Sequence, residues 1–141
     1  MAAAPFITQT VAQGLLTSLE TSLNAGTAAV IQIYSGSVPA DADAANGGTL
    51  LATLTCAASV FVSKTDGSPG AVGTFDTIAA DVSADNTGTA AFFRISTQSG
   101  GTVCFQGTVG TSSADMIVNT TAFTAGSNVS CSAATITVPE G

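Results

Sequence analysis

An antiparallel β-sandwich of jelly-roll type, preceded by one short α-helix, is the fold this 141-residue sequence predicts. Three observations carry that expectation. From Thr27 onward apolar residues recur at every second position in a background of Thr, Val, Ile and Phe, residues that suit a pleated, half-buried surface. Turn-forming clusters interrupt this pattern at short intervals: Ser35-Gly-Ser-Val-Pro39, Asn46-Gly-Gly48, Asp66-Gly-Ser-Pro-Gly70, Asp85-Asn-Thr-Gly88 and Ser99-Gly-Gly101. Only the first segment shows a helical spacing. Many short strands separated by turns are the mark of a sandwich or jelly roll. The length suits a single domain, with residues 1–26 as an N-terminal arm and helix and residues 27–141 as the β body.

The helix is read from Ile7, Val11, Leu15, Leu19 and Leu23, with Leu16 widening the stripe and Gly26 offering a stop. Gly14 weakens its middle by up to about 1 kcal/mol relative to alanine, so the helix relies on docking against the body. Ahead of it, Pro5, Phe6 and Ile7 form an apolar arm expected to reach a neighbouring subunit. Strands are expected at 28–34, 49–56, 60–63, 74–79, 90–97, 102–109, 115–119 and 129–138. Within 91–95, Ala91, Phe93 and Ile95 share one face, leaving Phe92 and Arg94 on the other, and Ser99-Gly-Gly101 predicts a hairpin to the next strand. A change of phase between Cys131 and Ile136 predicts a bulge near Ala134.

Composition narrows the function. About a quarter of residues are charged in an ordinary domain, against 8% here, with two basic residues, Lys64 and Arg94, and no histidine. Nucleophilic catalysis that needs a neighbouring base is nearly closed, the three cysteines lack zinc-finger spacing, and no phosphate-binding glycine motif occurs. Neither an enzymatic role nor a cofactor or small-molecule substrate is therefore expected. A net charge of −7 without a basic cluster argues against nucleic acid. No stretch approaches the roughly 20 apolar residues that span a bilayer, and the N-terminus does not resemble a secretory signal. Cys56, Cys104 and Cys131 are expected as thiols, a cross-strand pair being the alternative.

The segment 41–47, Asp-Ala-Asp-Ala-Ala-Asn-Gly, resembles a calcium loop only superficially and reads as a solvated turn, its ligand spacing being wrong. Asp76, Asp81 and Asp85 could bring carboxylates together, but the chain has few aromatics to line a sugar cleft, Tyr34 and Phe92 being the candidates. Arg94 is expected to pair with one of the nine acids, within the fold or across an interface. A charge-poor surface of hydroxyls, methyls and backbone can lie against another protein with little charge desolvation, which points to a structural, interface-forming role. Interface candidates are Pro5, Phe6, Ile7, Tyr34, Phe92 and Arg94.

Three groups of segments carry a resemblance. They are Ile31-Gln-Ile-Tyr34-Ser-Gly36-Ser-Val-Pro39 with Gly48-Thr-Leu-Leu-Ala-Thr-Leu54; Ser83-Ala-Asp-Asn-Thr-Gly88-Thr-Ala-Ala-Phe-Phe-Arg94; and Gln106-Gly-Thr-Val-Gly110-Thr-Ser-Ser-Ala-Asp115 with Ala125-Gly-Ser-Asn-Val129. Together they resemble the head cement, or decoration, proteins of tailed bacteriophages. The resemblance implies a jelly roll made in the host cytoplasm and placed on the outer surface of the phage head. There it would bind an HK97-like major capsid protein shell as a homo-oligomer, dimer or trimer, that bridges capsomers. It implies no active site. Other virion roles, in tail, neck or fibre base, and a carbohydrate-binding adhesive module stay open on the residues alone.

Overall fold

The computed structural model describes residues 6–26, 28–67, 70–98 and 101–139. Among these residues one helix, α1 (Gln9–Leu23), precedes eleven strands: β1 (Val30–Tyr34), β2 (Leu50–Cys56), β3 (Phe61–Asp66), β4 (Gly70–Phe75), β5 (Ile78–Ala79), β6 (Gly88–Thr89), β7 (Phe92–Ser96), β8 (Val103–Gly110), β9 (Met116–Val118), β10 (Ala122–Phe123) and β11 (Cys131–Pro139). Nine of them form one curled sheet in the order β3-β4-β11-β9-β8-β7-β1-β2-β5, and β6 pairs with β10 in a small second sheet. The chain is thus mainly β, with a sandwich-like, jelly-roll-like body and one short helix, the class predicted from the sequence.

Thr8 caps the helix start, its hydroxyl accepting from the Val11 N–H at 3.3 Å. At the other end Asn24 donates its N–H to the Glu20 carbonyl and accepts from Val60 N–H through its side chain, tying the helix exit to the strand region. Gly26 is not the cap. A Cβ there would come within 2.3 Å of the Thr97 carbonyl oxygen, so this glycine permits a close backbone approach. The docked face is Ala12, Leu16 and Leu23, with Ile7 and Leu19 packed beside them, whereas Val11 and Leu15 are about half exposed. The expected stripe of fours therefore needs correction: four residues overshoot a 3.6-residue turn by about 40° per step, so that line lies off the core face at Val11 and Leu15 and reaches it at Leu19 and Leu23.

α1 lies on β3, β4 and β11. Gly73 makes the fit possible, since a Cβ there would crowd Leu16 at 3.0 Å and the Phe61 ring at 3.2 Å. This explains why β4 begins at Gly70, the last residue of the expected 66–70 turn, four residues before the expected strand start at Thr74: the stretch 70–73 is paired on both edges and roofed by Leu16. The expected strand 74–79 divides at Asp76 and Thr77, where the Asp76 carboxylate accepts from the Thr77 N–H and the Asp76 N–H goes to Val60. The β7–β8 hairpin forms as predicted, with Arg94 opposite Gln106 and Phe93 opposite Gly107.

β11 divides its length between two partners. Its residues 131–134 pair with β9 and its residues 135–139 with β4; the register shift lies between Cys131 and Ala133, ahead of the bulge expected near Ala134, which is itself paired with Met116. One pair, β8 with β9, is parallel, over Val109–Met116 and Gly110–Ile117 only. Its short connection turns through Ser113 at φ 51° and is held by Asp115, which accepts from the N–H and hydroxyl of Thr108. The core lies inside the curl and under the helix, formed by Leu16, Ile31, Leu54, Phe93, Ile95 and Ile136 with their neighbours. Each such side chain contributes about 1.5–3 kcal/mol by leaving water.

Candidate functional site

Every residue of β7 is buried, Phe92, Arg94 and Ser96 on one face as fully as Phe93 and Ile95 on the other. The outer face is covered by the long β1–β2 hairpin loop, which leaves β1 at Ser35, whose N–H donates to Thr49, and folds back over β7 and β8. Antiparallel register lines up Gln32, Arg94 and Gln106 across three strands. Arg94 Nε donates to Gln106 Oε1 at 3.0 Å, and its Nη2 donates to the carbonyls of Ala44 at 2.7 Å and Asp41 at 3.3 Å. Gln106 Nε2 donates to the Pro39 carbonyl at 2.9 Å. Two side chains from the sheet thus hold three carbonyls of the loop.

The loop is itself shaped for this contact. The Asp41 carboxylate accepts from the N–H groups of Asp43 and Ala44, closing a turn that aims its carbonyls inward. Gly36 takes φ +99°, and Gly48 passes so close that a Cβ would meet the Ser35 carbonyl at 2.3 Å and the Phe92 ring at 3.3 Å. Phe92 stacks on Tyr34 at 5.3 Å between centroids, and the Tyr34 hydroxyl donates to Gln32 Oε1.

The expected site residues separate accordingly. Pro5 lies outside the described residues. Phe6 is exposed and Ile7 half-buried against the core. Tyr34 is half-buried, whereas Phe92 and Arg94 are buried, so neither is available at an outer surface. Arg94 does not pair with an acid as expected: its three hydrogen-bond partners are neutral oxygens within the chain. The ion pair among the described residues joins Lys64 of β3 to Glu20 of α1. Gln106 was not singled out from the sequence, although counting outward from the turn at 99–101 places it opposite Arg94. Exposed apolar side chains also missed are Val11, Leu15, Val38, Val62 and Val82.

The remaining chemistry is muted. Cys56, Cys104 and Cys131 are free thiols. Burial pushes the Cys56 thiol up to about 12, with nearby Cys131 adding to the effect, and burial also raises Cys104 and Cys131, which keeps all three protonated at neutral pH. A cleft of about 400 Å³ runs between Phe75–Ile78 and Cys131–Ala134. Its carboxylate, Asp76, is engaged by the Thr77 N–H. Asp81 is likewise engaged, accepting from Thr53 and Ser83 N–H groups. No cluster of three His, Cys, Asp or Glu side chains fit to hold a metal occurs among the described residues, and no described helix is long and apolar enough to cross a membrane.

No family model matches this sequence, and neither a curated protein nor a solved structure matches it significantly.

Proposed function

We propose that this chain is a structural virion protein, a cement or decoration protein that binds the outer face of a tailed-phage head and stabilises it. The observation that carries the reading is the make-up of its exposed surface: hydroxyls, small side chains and backbone, with few charges and with Phe6, Val38, Val62 and Val82 standing out into solvent. Such a surface binds by close packing with little charge to desolvate. The segment resemblance to phage head proteins names the partner class, a major capsid protein shell bridged by a homo-oligomer. The acidic balance suits an outward face better than one turned toward packaged DNA.

On this reading the protein acts without catalysis, by adding contacts to an assembly that mass action then favours. Heads purified with and without the chain test it. Stripped heads should rupture at lower temperature and under milder osmotic shock, and adding the purified chain back should restore resistance. Equal robustness of the two preparations would count against a cement role.

A further inference from the structure

We propose that Asn46 is a self-modifying site: it deamidates through attack by the backbone nitrogen of Gly47, and the isoaspartate product frees the loop that covers β7. Asn46-Gly47 lies in the β1–β2 loop, with Asn46 half-buried and Gly47 exposed. Asn46 Oδ1 accepts from the Gly48 N–H at 2.9 Å, which folds the side chain back along the backbone and draws electrons away from Cγ. The Gly47 N–H donates to no acceptor among the described residues, so its nitrogen is free to lose its proton and attack. A Cβ at Gly47 would meet nothing within 4 Å, and glycine brings no side chain to shield the approach. The other asparagines are restrained where Asn46 is not. Asn24 accepts from Val60 N–H, and the Ala25 N–H beside it donates to Ser22. Asn86 precedes β-branched Thr87, and its Nδ2, the would-be leaving group, donates to the Leu50 carbonyl. Asn119 accepts from Ser130 N–H ahead of Thr120, and Asn128 precedes Val129, whose N–H donates to Asp81.

The reaction needs only water. The deprotonated Gly47 nitrogen forms a bond to Asn46 Cγ, the Cγ–Nδ2 bond breaks, and Nδ2 departs as ammonia with a proton taken from water. Water then opens the succinimide ring, and nothing is oxidised or reduced. Cleavage of the bond between that nitrogen and Cγ leaves aspartate. Cleavage of its bond to the main-chain carbonyl carbon of Asn46 leaves isoaspartate, whose chain runs through Cβ and Cγ and is longer by one atom. The loop is pinned on both sides of that insertion. Arg94 holds the Ala44 carbonyl at 2.7 Å, and Gly48 sits where a Cβ would be 2.3 Å from the Ser35 carbonyl oxygen. Lengthening the chain between these points parts the Ala44 carbonyl from Arg94. The inference is independent of the capsid reading, because it concerns the purified chain alone.

Incubation of the full chain at mildly alkaline pH, in reducing buffer made with heavy-oxygen water, tests it by peptide mass mapping and isoaspartate methylation. The peptide holding Asn46 should lose ammonia and gain one heavy oxygen at least about tenfold faster than those holding Asn24, Asn86, Asn119 or Asn128. Gly47→Ala, at a position with open space and no left-handed φ, should leave the melting temperature unchanged while slowing conversion at least about tenfold. In the separated isoaspartate form, hydrogen exchange of residues 36–48 should rise at least about tenfold, with β7 little changed. An Asn46 that stays intact in the folded chain yet converts in urea overturns the inference, as does conversion of Gly47→Ala at the wild-type rate or equal conversion at the other asparagines. Unchanged exchange across 36–48 in the isoaspartate form would overturn the release of the loop.

Discussion

The two faces of β7 are equally dry and are closed in opposite ways. Phe93 and Ile95 point into the curl of the sheet, where Ile31, Ile33 and the helix side chain Leu16 belong to the same apolar core. Phe92 and Arg94 point outward, where a loop lies over them, fastened through its carbonyls by Arg94 and Gln106. One closure is apolar and insensitive to direction. The other depends on a few hydrogen bonds whose loss leaves buried groups unpaired. Strand alternation reveals that a residue changes side; it does not reveal what covers that side.

The largest expected effect breaks the apolar face. Phe93→Ala should cost about 3–5 kcal/mol, seen as a global drop in thermal stability, because the ring fills the space beside Gly107. Unfolding by chemical denaturant, followed by circular dichroism, measures it. A loss below about 1 kcal/mol would mean that the inner face is not the main core.

Arg94→Gln breaks the polar face. It should cost about 2 kcal/mol in the isolated chain, since carbonyls of Asp41 and Ala44 lose a charged donor. The loss should be local, with hydrogen exchange rising in residues 36–48 and little changed in β7. Because the guanidinium is buried within one chain, any assembly should suffer only in proportion. An unchanged melting temperature with weakened assembly would instead place Arg94 at an interface.

Much of this was legible in the sequence. Period-two patterning located β1, β2, β7, β8, β9 and β11, whereas the two-residue strands β6 and β10 were not expected and the cluster at 66–70 overlaps the ends of β3 and β4. The Ser99-Gly-Gly101 cluster pointed to the β7–β8 pairing, without giving its register. What was not legible depends on contacts distant along the chain. The 35–48 segment carries ordinary turn residues, and nothing in their order says that they fold back on Arg94. Gly73 was left outside the expected strand because its use, admitting Leu16 and Phe61 to close range, is tertiary. The helix face was misread because Val11 and Leu15 satisfy the pattern of a core stripe while lying off its axis.

A smaller effect sharpens the inner face through pH. The Cys56 thiol titrates at 9.0 in ordinary surroundings and near 12 in the fold. Between these values the unfolded chain holds fewer protons than the folded one, so stability falls as pH rises, by at most about 1.4 kcal/mol per unit. Its contribution is fully present below pH 9.0. Cys56→Ala should flatten this alkaline limb in denaturation curves taken on either side of that pH, whereas an unchanged slope would show that Cys56 does not govern it. The smallest effect is expected at the helix attachment. Lys64→Gln, which removes the pair with Glu20, should cost under about 1 kcal/mol, since Lys64 remains partly exposed. A larger loss in thermal unfolding would show that α1 is held by charge more than by Leu16.

The proposed cement role, under which a tailed phage encodes this chain, is tested most directly by counting it against major capsid protein in purified particles. Quantitative mass spectrometry of separated heads and tails gives the ratio. The account predicts a fixed ratio to major capsid protein, confined to heads and lost when the outer surface is stripped. Absence from heads, or a few copies confined to the tail, would contradict it.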